Sequence, residues 1–318
     1  MSLQTKPVPK LVLDFLEHLE VERNCSKLTI RNYHHYLNRF SDWYLDYSSK
    51  KDLSDLDLDV IRKYRLFLSR IENSSQEPIS PVTQSYHIIA LRSFLKWLTK
   101  NDFEVISPEK IDLPKGKSRS LKFLKQEQID RFLKAPDTDE LAGVRDRAIL
   151  ELLFSTGLRV SELAKLNREK IDFNSREFGI IGKGGRARVV FLSDQAAFWL
   201  QEYFRQREDD WKPAFIRYAK SKESSDPDGE DMRLSVRSIQ RTVEKYRRKA
   251  KLPVEITPHG LRHTFATDLL FHGAGLREVQ EMLGHKNIST TQIYTHVTNP
   301  QLKSVHKKYH SGNTNKPS

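Results

Sequence analysis

The chain has 318 residues, of which 37% are hydrophobic, 30% charged and 10% aromatic. Its length is about twice that of a single domain of roughly 150 residues, and the aromatic content excludes a disordered polar chain, so we expect two folded domains. The sequence predicts neither a membrane span nor a secretory signal, and the single cysteine, Cys25, excludes an internal disulfide and a Cys-based zinc site. These features favour a cytoplasmic protein with no membrane partner.

The positive charge is concentrated in the last two thirds of the chain. Residues 1–115 hold 17 Lys and Arg and 16 Asp and Glu, so nearly all of the net charge of +12 follows them. Such a basic segment indicates a polyanionic partner, most often nucleic acid, because Lys and Arg displace condensed counterions from phosphates. A merely solubilising surface charge is the alternative, and the charge alone does not decide between the two.

Apolar residues in the first third recur at the spacing of amphipathic helices. Ser26 is a candidate N-cap, and Ser80-Pro81 is a typical helix start. Exposed polar residues such as Arg31, Asn32, His34 and His35 either face phosphates or are simply solvated, and we favour solvation. The predicted four-helix bundle comprises residues 12–19, 30–47, 60–71 and 81–98.

Residues 107–120 contain two prolines, a glycine and several basic residues without apolar periodicity, which predicts a linker. We divide the chain into a helical domain over residues 1–112, a basic linker over 113–120 and a second domain over 121–318. Extended at about 3.1 Å per residue, a linker of this kind would let two domains clamp a rod-like ligand.

The second domain begins with helical patterns, including a dense apolar run at residues 147–154. Gly157 predicts a helix end and Ser161-Glu162 the start of the next helix, so Arg159 lies in the tight turn between them and requires an anionic partner. Residues 177–181 and 188–192 predict a β-hairpin with Lys183 at its tip. Residues 209–235 read as an exposed connection to a helix over 236–250.

Pro258 predicts the start of a further helix, and His259 and Arg262, three residues apart, share a face of its first turn. Two cations beside a helix N-terminus suit a phosphate. A zinc site is the alternative, because His259 and His263 have i, i+4 spacing and His285 offers a third ligand. It is disfavoured, because Gly260 replaces the glutamate of a zinc protease motif and Arg262 would repel a dication.

Five motifs in order carry a family resemblance: G-L-R-x-S-E-L from Gly157, the hairpin lysine in G-K-G, H-x-L-R-H from His259, L-G-H ending at His285, and S-T-T-Q-I-Y ending at Tyr294. Together they resemble the tyrosine recombinases, in particular the Xer type, over residues 10–310. The resemblance implies a mainly α fold with a small β-hairpin. An N-terminal four-helix, SAM-like core-binding domain would precede a mixed α/β catalytic domain.

The resemblance also implies the site. Tyr294 would be the nucleophile, Arg159 and Arg262 would bind the scissile phosphate, and His259 and His285 would assist. Lys183 would be the general acid, although Arg186 and Arg188 lie on the same hairpin. Glu162 would orient the residues of the pocket without contacting the phosphate, and His263 would support the structure. No metal or nucleotide cofactor is implied, since a covalent phosphotyrosine conserves the bond energy.

The implied function is site-specific recombination of double-stranded DNA by four protomers, with Xer-like chromosome dimer resolution during chromosome partition and cell division as the expected role. A DNA translocase or a second recombinase would be a further partner. The resemblance also implies that a tail helix carrying Leu302, Val305 and Tyr309 docks on a neighbouring subunit. The alternatives are a mobile-element integrase, a type IB topoisomerase and a non-catalytic DNA-binding regulator.

Overall fold

The computed structural model describes residues 6–48, 52–72, 76–113, 124–182, 185, 187–218 and 224–284. The chain divides into two units, Met1–Arg119 and Ser120–Ser318. The described residues are mostly helical with one two-stranded antiparallel sheet, so the predicted fold class is confirmed. None of the described helices is long and apolar enough to cross a membrane.

The described part of the first unit contains the helices that the sequence predicted. Ser26 and Ser80 each accept a hydrogen bond from a first-turn backbone N–H group, at 3.2 Å, which confirms the predicted helix starts. Asp57 caps the third helix in the same way. The helices are α1 (Val8–Val21), α2 (Lys27–Tyr47), α3 (Leu58–Arg70) and α4 (Pro81–Lys100).

The core of the first unit is rich in aromatic side chains. Phe40 packs edge-on against Tyr64 with ring centroids 5.1 Å apart, and Phe15 packs against Phe94 at 5.6 Å. Pro108 and Ile111 are also buried in this unit, so the first residues of the predicted linker belong to its fold. The remaining linker residues fall mainly within 114–123, which lie outside the described residues.

The second unit is built from seven further described helices and one hairpin. In the hairpin, β1 (Glu177–Ile181) pairs with β2 (Ala187–Phe191), with Glu177 opposite Phe191 and Ile181 opposite Ala187. The predicted strands are therefore confirmed to within one residue. The helices are α5 (Gln126–Leu133), α6 (Leu141–Thr156), α7 (Val160–Ala164), α8 (Asp194–Arg205), α9 (Val236–Lys249), α10 (Pro258–Phe271) and α11 (Leu276–Leu283).

Two clusters of buried apolar residues support this unit. The large cluster includes the buried face of α6, which packs against α8 and α10. The small cluster joins α10 to α11 and contains four fully buried residues, Ala266, Leu270, Val279 and Leu283. The last turn of α11 is therefore anchored by a small core of its own.

The prediction of an exposed connection over residues 209–235 is wrong for residues 214–216. Ala214, Phe215 and Ile216 are buried, and the Phe215 ring stacks on Tyr203 with centroids 5.8 Å apart. The cause is Arg207, whose buried guanidinium donates to the carboxylate of Asp209 and to the carbonyl oxygens of residues 213 and 214. These bonds fold a polar stretch back onto the core, which periodicity could not reveal.

Candidate active site

The turn that carries Arg159 is set by a glycine. Gly157 ends α6 with φ +59° and ψ 26°, in the left-handed region that glycine adopts without steric cost. A Cβ atom at this position would lie 2.5 Å from the ring of Phe265, so glycine is also required by the close approach of α10. Arg159 follows as the N-cap residue of α7, which confirms its predicted place between two helices.

The anionic partner that Arg159 requires is Glu162. One carboxylate oxygen accepts from the Arg159 backbone N–H and the other from its guanidinium, both at 2.8 Å. The Glu162 side chain is only 7% exposed. Burial alone would raise the pKa of Glu162, but the hydrogen bonds from Arg188 and Arg159 outweigh it and lower the pKa to about 2. Glu162 is therefore a carboxylate at neutral pH.

Arg188 is a member of this group that the sequence analysis did not assign. It lies on β2, and its guanidinium donates to both Glu162 oxygens, at 3.1 and 2.8 Å. A signal was present in the sequence, because strand side chains alternate and Arg188 falls on the same face as the buried Val190. An arginine on the inward face of a strand predicts a buried acidic partner.

Arg262 is 2% exposed and braces three helices. From α10, its guanidinium donates to the carbonyl oxygen of Gly157 at the end of α6, at 2.6 Å, and to that of Leu283 at the end of α11. These carbonyls are among those that a helix end leaves without a partner in its own backbone, so a guanidinium with two separate donors suits them. Arg262 thereby fixes the start of the Arg159 turn.

His259 lies in the first turn of α10, whose predicted start at Pro258 is confirmed. Its side chain reaches the protein surface but is partly desolvated, and this desolvation, with the positive charges of Arg262 and Arg159, lowers its pKa below the usual 6.5. The ring is therefore neutral at pH 7. One N–H group of this helix start is already occupied, because Thr257 accepts a hydrogen bond from Gly260 at 3.1 Å.

His263 packs against His259, with ring centroids 4.3 Å apart and planes inclined at 75°. Burial, His259 and Arg262 together lower the pKa of His263 to about 4. The described residues contain no group of three or more His, Cys, Asp or Glu side chains that could hold a metal ion. His259 and His263, two of the three histidines of the zinc alternative, lie beside the positive charge of Arg262, which disfavours a bound dication.

Three of the predicted site residues, Lys183, His285 and Tyr294, lie outside the described residues. So do residues 302–309, for which a tail helix was predicted. In the chain, Lys183 lies between β1 and β2, the strand that carries Arg188, and His285 directly follows Gly284, the C-cap of α11. The structure thus brings together Arg159, Glu162, Arg188, His259 and Arg262.

Two family models match the chain. The phage integrase family matches residues 122–300, and the phage integrase N-terminal SAM-like domain matches residues 12–102. A tyrosine recombinase XerC of Pelotomaculum thermopropionicum is 34% identical over 93% of this chain and 96% of its own length. A tyrosine recombinase XerD of Lacticaseibacillus casei is 36% identical over 94% of this chain and 98% of its own length.

A crystal structure of the XerH site-specific recombinase, bound to palindromic difH substrate in a post-cleavage complex, is similar in fold. Its TM-score is 0.69 at 22% sequence identity, and the match covers 91% of this chain and 82% of that chain. The family models and the two relatives confirm the family that the motifs predicted. The chain therefore belongs to the phage integrase family and is a tyrosine recombinase, an enzyme that cleaves and rejoins DNA.

Proposed function

We propose that this chain is a site-specific recombinase that cleaves and rejoins double-stranded DNA through a 3′-phosphotyrosine at Tyr294. The observation that carries the proposal is the Arg262 brace, which joins the Arg159 turn to the helix of His259. The guanidinium groups of Arg159 and Arg262 then lie close enough to the neutral His259 ring for their positive charges to lower its pKa. This combination suits a phosphodiester whose transition state carries more negative charge than the ground state.

In the proposed cleavage step, the phenolic oxygen of Tyr294 forms a bond to phosphorus and the bond from phosphorus to the 5′ oxygen breaks. His259 accepts the phenolic proton, which its lowered pKa favours because the ring is neutral at pH 7. Lys183 gives a proton to the leaving 5′ oxygen. Attack of that hydroxyl, or of one from a second DNA strand, reverses the step without metal or nucleotide.

Arg159 and Arg262 would stabilise the phosphoryl oxygens, and His285 would assist from the end of α11. The two arginines are held differently. Arg159 is 32% exposed in its side chain and is available to an incoming phosphate, whereas Arg262 is buried and contributes its charge from a fixed position. Glu162 would hold Arg159 in place. A guanidinium that is already oriented needs no reorganisation during the reaction, which is the basis of its proposed contribution.

For the assembly, we propose that residues 1–112 form a core-binding domain, 113–120 a basic linker and 121–318 the catalytic domain. The two domains would clamp duplex DNA at a specific site, and four protomers would join two sites in the synaptic complex. The proposed role is Xer-like chromosome dimer resolution in the cytoplasm, with a DNA translocase or a second recombinase as partner, and the Xer names of the relatives support the Xer type. Mobile-element integration is the second candidate role.

An adduct-trapping experiment tests the chemistry. Wild-type and Tyr294→Phe proteins are mixed with fragmented genomic DNA of the source organism in EDTA, and adducts that survive SDS are sequenced. The proposal expects an adduct from wild type only. A single chromosomal site would support dimer resolution, and the ends of a mobile element would support integration. Adducts at scattered sequences, together with plasmid relaxation, would instead indicate a type IB topoisomerase.

Binding to DNA by both proteins without any adduct would contradict the proposed chemistry. That outcome would favour a DNA-binding regulator.

The assembly is tested by deletion of residues 301–318. We expect the shortened protein to bind a single half-site as well as wild type but to lose cooperative occupation of the full site in a gel-shift titration. Unchanged cooperativity would remove the tail from the proposed subunit contact.

A further inference from the structure

Arg188 is a buried arginine of the hairpin, and it is not among the residues of the proposed cleavage step. Its side chain is 9% exposed, and its guanidinium donates to both carboxylate oxygens of Glu162. Bidentate contacts between a guanidinium and a carboxylate fix the relative orientation of the two planar groups. Glu162 therefore accepts two hydrogen bonds from β2, as many as it accepts from Arg159 at the start of its own helix.

The contacts continue from Glu162 to the phosphate-binding candidate. The Glu162 carboxylate accepts from the guanidinium of Arg159 at 2.8 Å, so one carboxylate is shared by two arginines. Among the described residues, Arg188 and Arg159 are the charged groups that face it, one from β2 and one from the N-terminus of α7. Arg188 also packs on Gly284, where an added Cβ would lie 3.1 Å from its Cδ atom.

This arrangement has a physical consequence for Arg159. An arginine side chain has several rotatable bonds, and a misplacement of about 1 Å in a group that positions substrate can lower a rate about 100-fold. Without Arg188, the buried Glu162 carboxylate would lose two of the four hydrogen bonds that it accepts from Arg159 and Arg188. It would then hold Arg159 less well, because a buried carboxylate is stable only when its oxygens remain paired.

We propose that Arg188 is a positioning residue for DNA cleavage, which acts through Glu162 to hold Arg159 and ties the Lys183 hairpin to the same group. The inference rests on the proposed function, because it assigns Arg188 to the reaction of that site. Arg188 does not touch the DNA in this proposal. Its loss should therefore slow the cleavage step while leaving the affinity for DNA nearly unchanged.

A double-mutant cycle tests whether Arg188 acts through Glu162. Single-turnover cleavage of a nicked substrate is measured with saturating enzyme for wild type, Arg188→Met, Glu162→Gln and the double variant. We expect Arg188→Met to slow cleavage about 10- to 100-fold, with the dissociation constant for DNA within about twofold of wild type. Because Arg188 acts through Glu162, the double variant should be little slower than Glu162→Gln alone.

The pH dependence supplies a readout that a merely structural role would not change. Removal of the Arg188 guanidinium takes away one of the two arginines that oppose the effect of burial on Glu162, so the pKa of Glu162 rises from about 2. The ratio of wild-type to Arg188→Met rates should then increase as the pH falls from 7 to 5. In the Glu162→Gln background, which has no titrating group at this position, the same ratio should stay constant.

Arg176→Met is the matched control, because Arg176 lies on the same hairpin, is 53% exposed and pairs only with the surface carboxylate of Asp194 among the described residues. It should cleave within about twofold of wild type. Should Arg188→Met unfold at the assay temperature, Arg188→Lys carries the test. Lysine keeps the positive charge but cannot make the bidentate contact with the Glu162 carboxylate. The cleavage rate of Arg188→Lys should therefore lie between those of wild type and Glu162→Gln.

Cleavage by folded Arg188→Met at the wild-type rate would overturn this inference alone. So would effects of Arg188→Met and Glu162→Gln that multiply fully in the double variant. The absence of a covalent adduct from wild type on every DNA would overturn the proposed function, and this inference with it.

Discussion

Arg262 donates a hydrogen bond to the carbonyl oxygen of Gly157, 105 residues earlier in the chain, at 2.6 Å. The same guanidinium reaches the carbonyl oxygen of Leu283. A residue proposed to stabilise a phosphate is therefore also the brace that joins α6, α10 and α11. Its replacement should affect stability and activity together.

Arg262→Lys tests this double role. A lysine ammonium cannot span both carbonyls, so we expect a loss of about 1–3 kcal/mol in the free energy of unfolding. The cleavage rate should fall about 10²- to 10³-fold, because an ammonium without both carbonyl contacts no longer holds its charge at the fixed position. Calorimetry and single-turnover cleavage check the two effects, with Arg237→Lys, an exposed arginine of α9, as control. Wild-type stability in Arg262→Lys would refute the brace.

Gly157→Ala tests the turn before Arg159. The positive φ of +59° and the close approach of Phe265 both oppose a Cβ atom, so we expect a loss of about 2–4 kcal/mol. Gly185→Ala is the control, since φ is +76° there but no atom lies within 4 Å of the added Cβ. The excess loss in Gly157→Ala, measured by calorimetry, reports the contact with Phe265. Equal losses in the two variants would show that the contact contributes nothing.

The turn at Gly157 was predictable from the sequence, because a glycine after a dense apolar run and before Ser161-Glu162 has few structural interpretations. The same local rules predicted the helix starts at Ser26, Ser80 and Pro258. They could not predict the role of Arg262. A bond between residues 105 positions apart is set by the packing of α10 on α6, and no local pattern encodes it.

His263 gives the unfolding stability a defined pH dependence. Its pKa is about 4 in the folded chain and near 6.5 when unfolded, so the unfolded state binds the proton more readily between these values. Stability is therefore complete above pH 6.5 and is lost as the pH falls towards 4. We expect a loss of about 1–2 kcal/mol from this group between pH 7 and 5. Calorimetry at both pH values should show a smaller loss in His263→Gln, whereas an equal loss would assign the dependence to other groups.

Lys183→Ala tests the proposed general acid. Cleavage of ordinary DNA should slow by at least about 100-fold, because the 5′ oxygen leaves unprotonated. A substrate with sulfur in place of that oxygen has a better leaving group and should restore most of the rate. Arg186→Ala, a basic residue on the same hairpin, is the control. If Lys183→Ala cleaved ordinary DNA at the wild-type rate, another residue would be the acid.

The hairpin was only partly predictable from the sequence. Its strands were predictable from β-branched and aromatic runs, but the partner of Arg188 was not, because Glu162 lies 26 positions away on another element. The same applies to the buried Arg207, which folds residues 213–216 inward. In both cases a charged residue, which sequence patterns assign to the surface, organises the interior through long-range hydrogen bonds.

The small cluster between α10 and α11 sets the order in which the enzyme should fail on warming. Helix α10 also packs on α6 and places Leu261 in the large cluster, whereas the buried apolar residues described for α11, Val279 and Leu283, belong to the small cluster. We therefore expect α11 to open at a lower free energy than the rest of the unit. Leu283 of α11 accepts a hydrogen bond from Arg262, so activity should disappear before the bulk helical signal does. The working temperature of the enzyme would then be set by one short helix rather than by the melting of the whole unit.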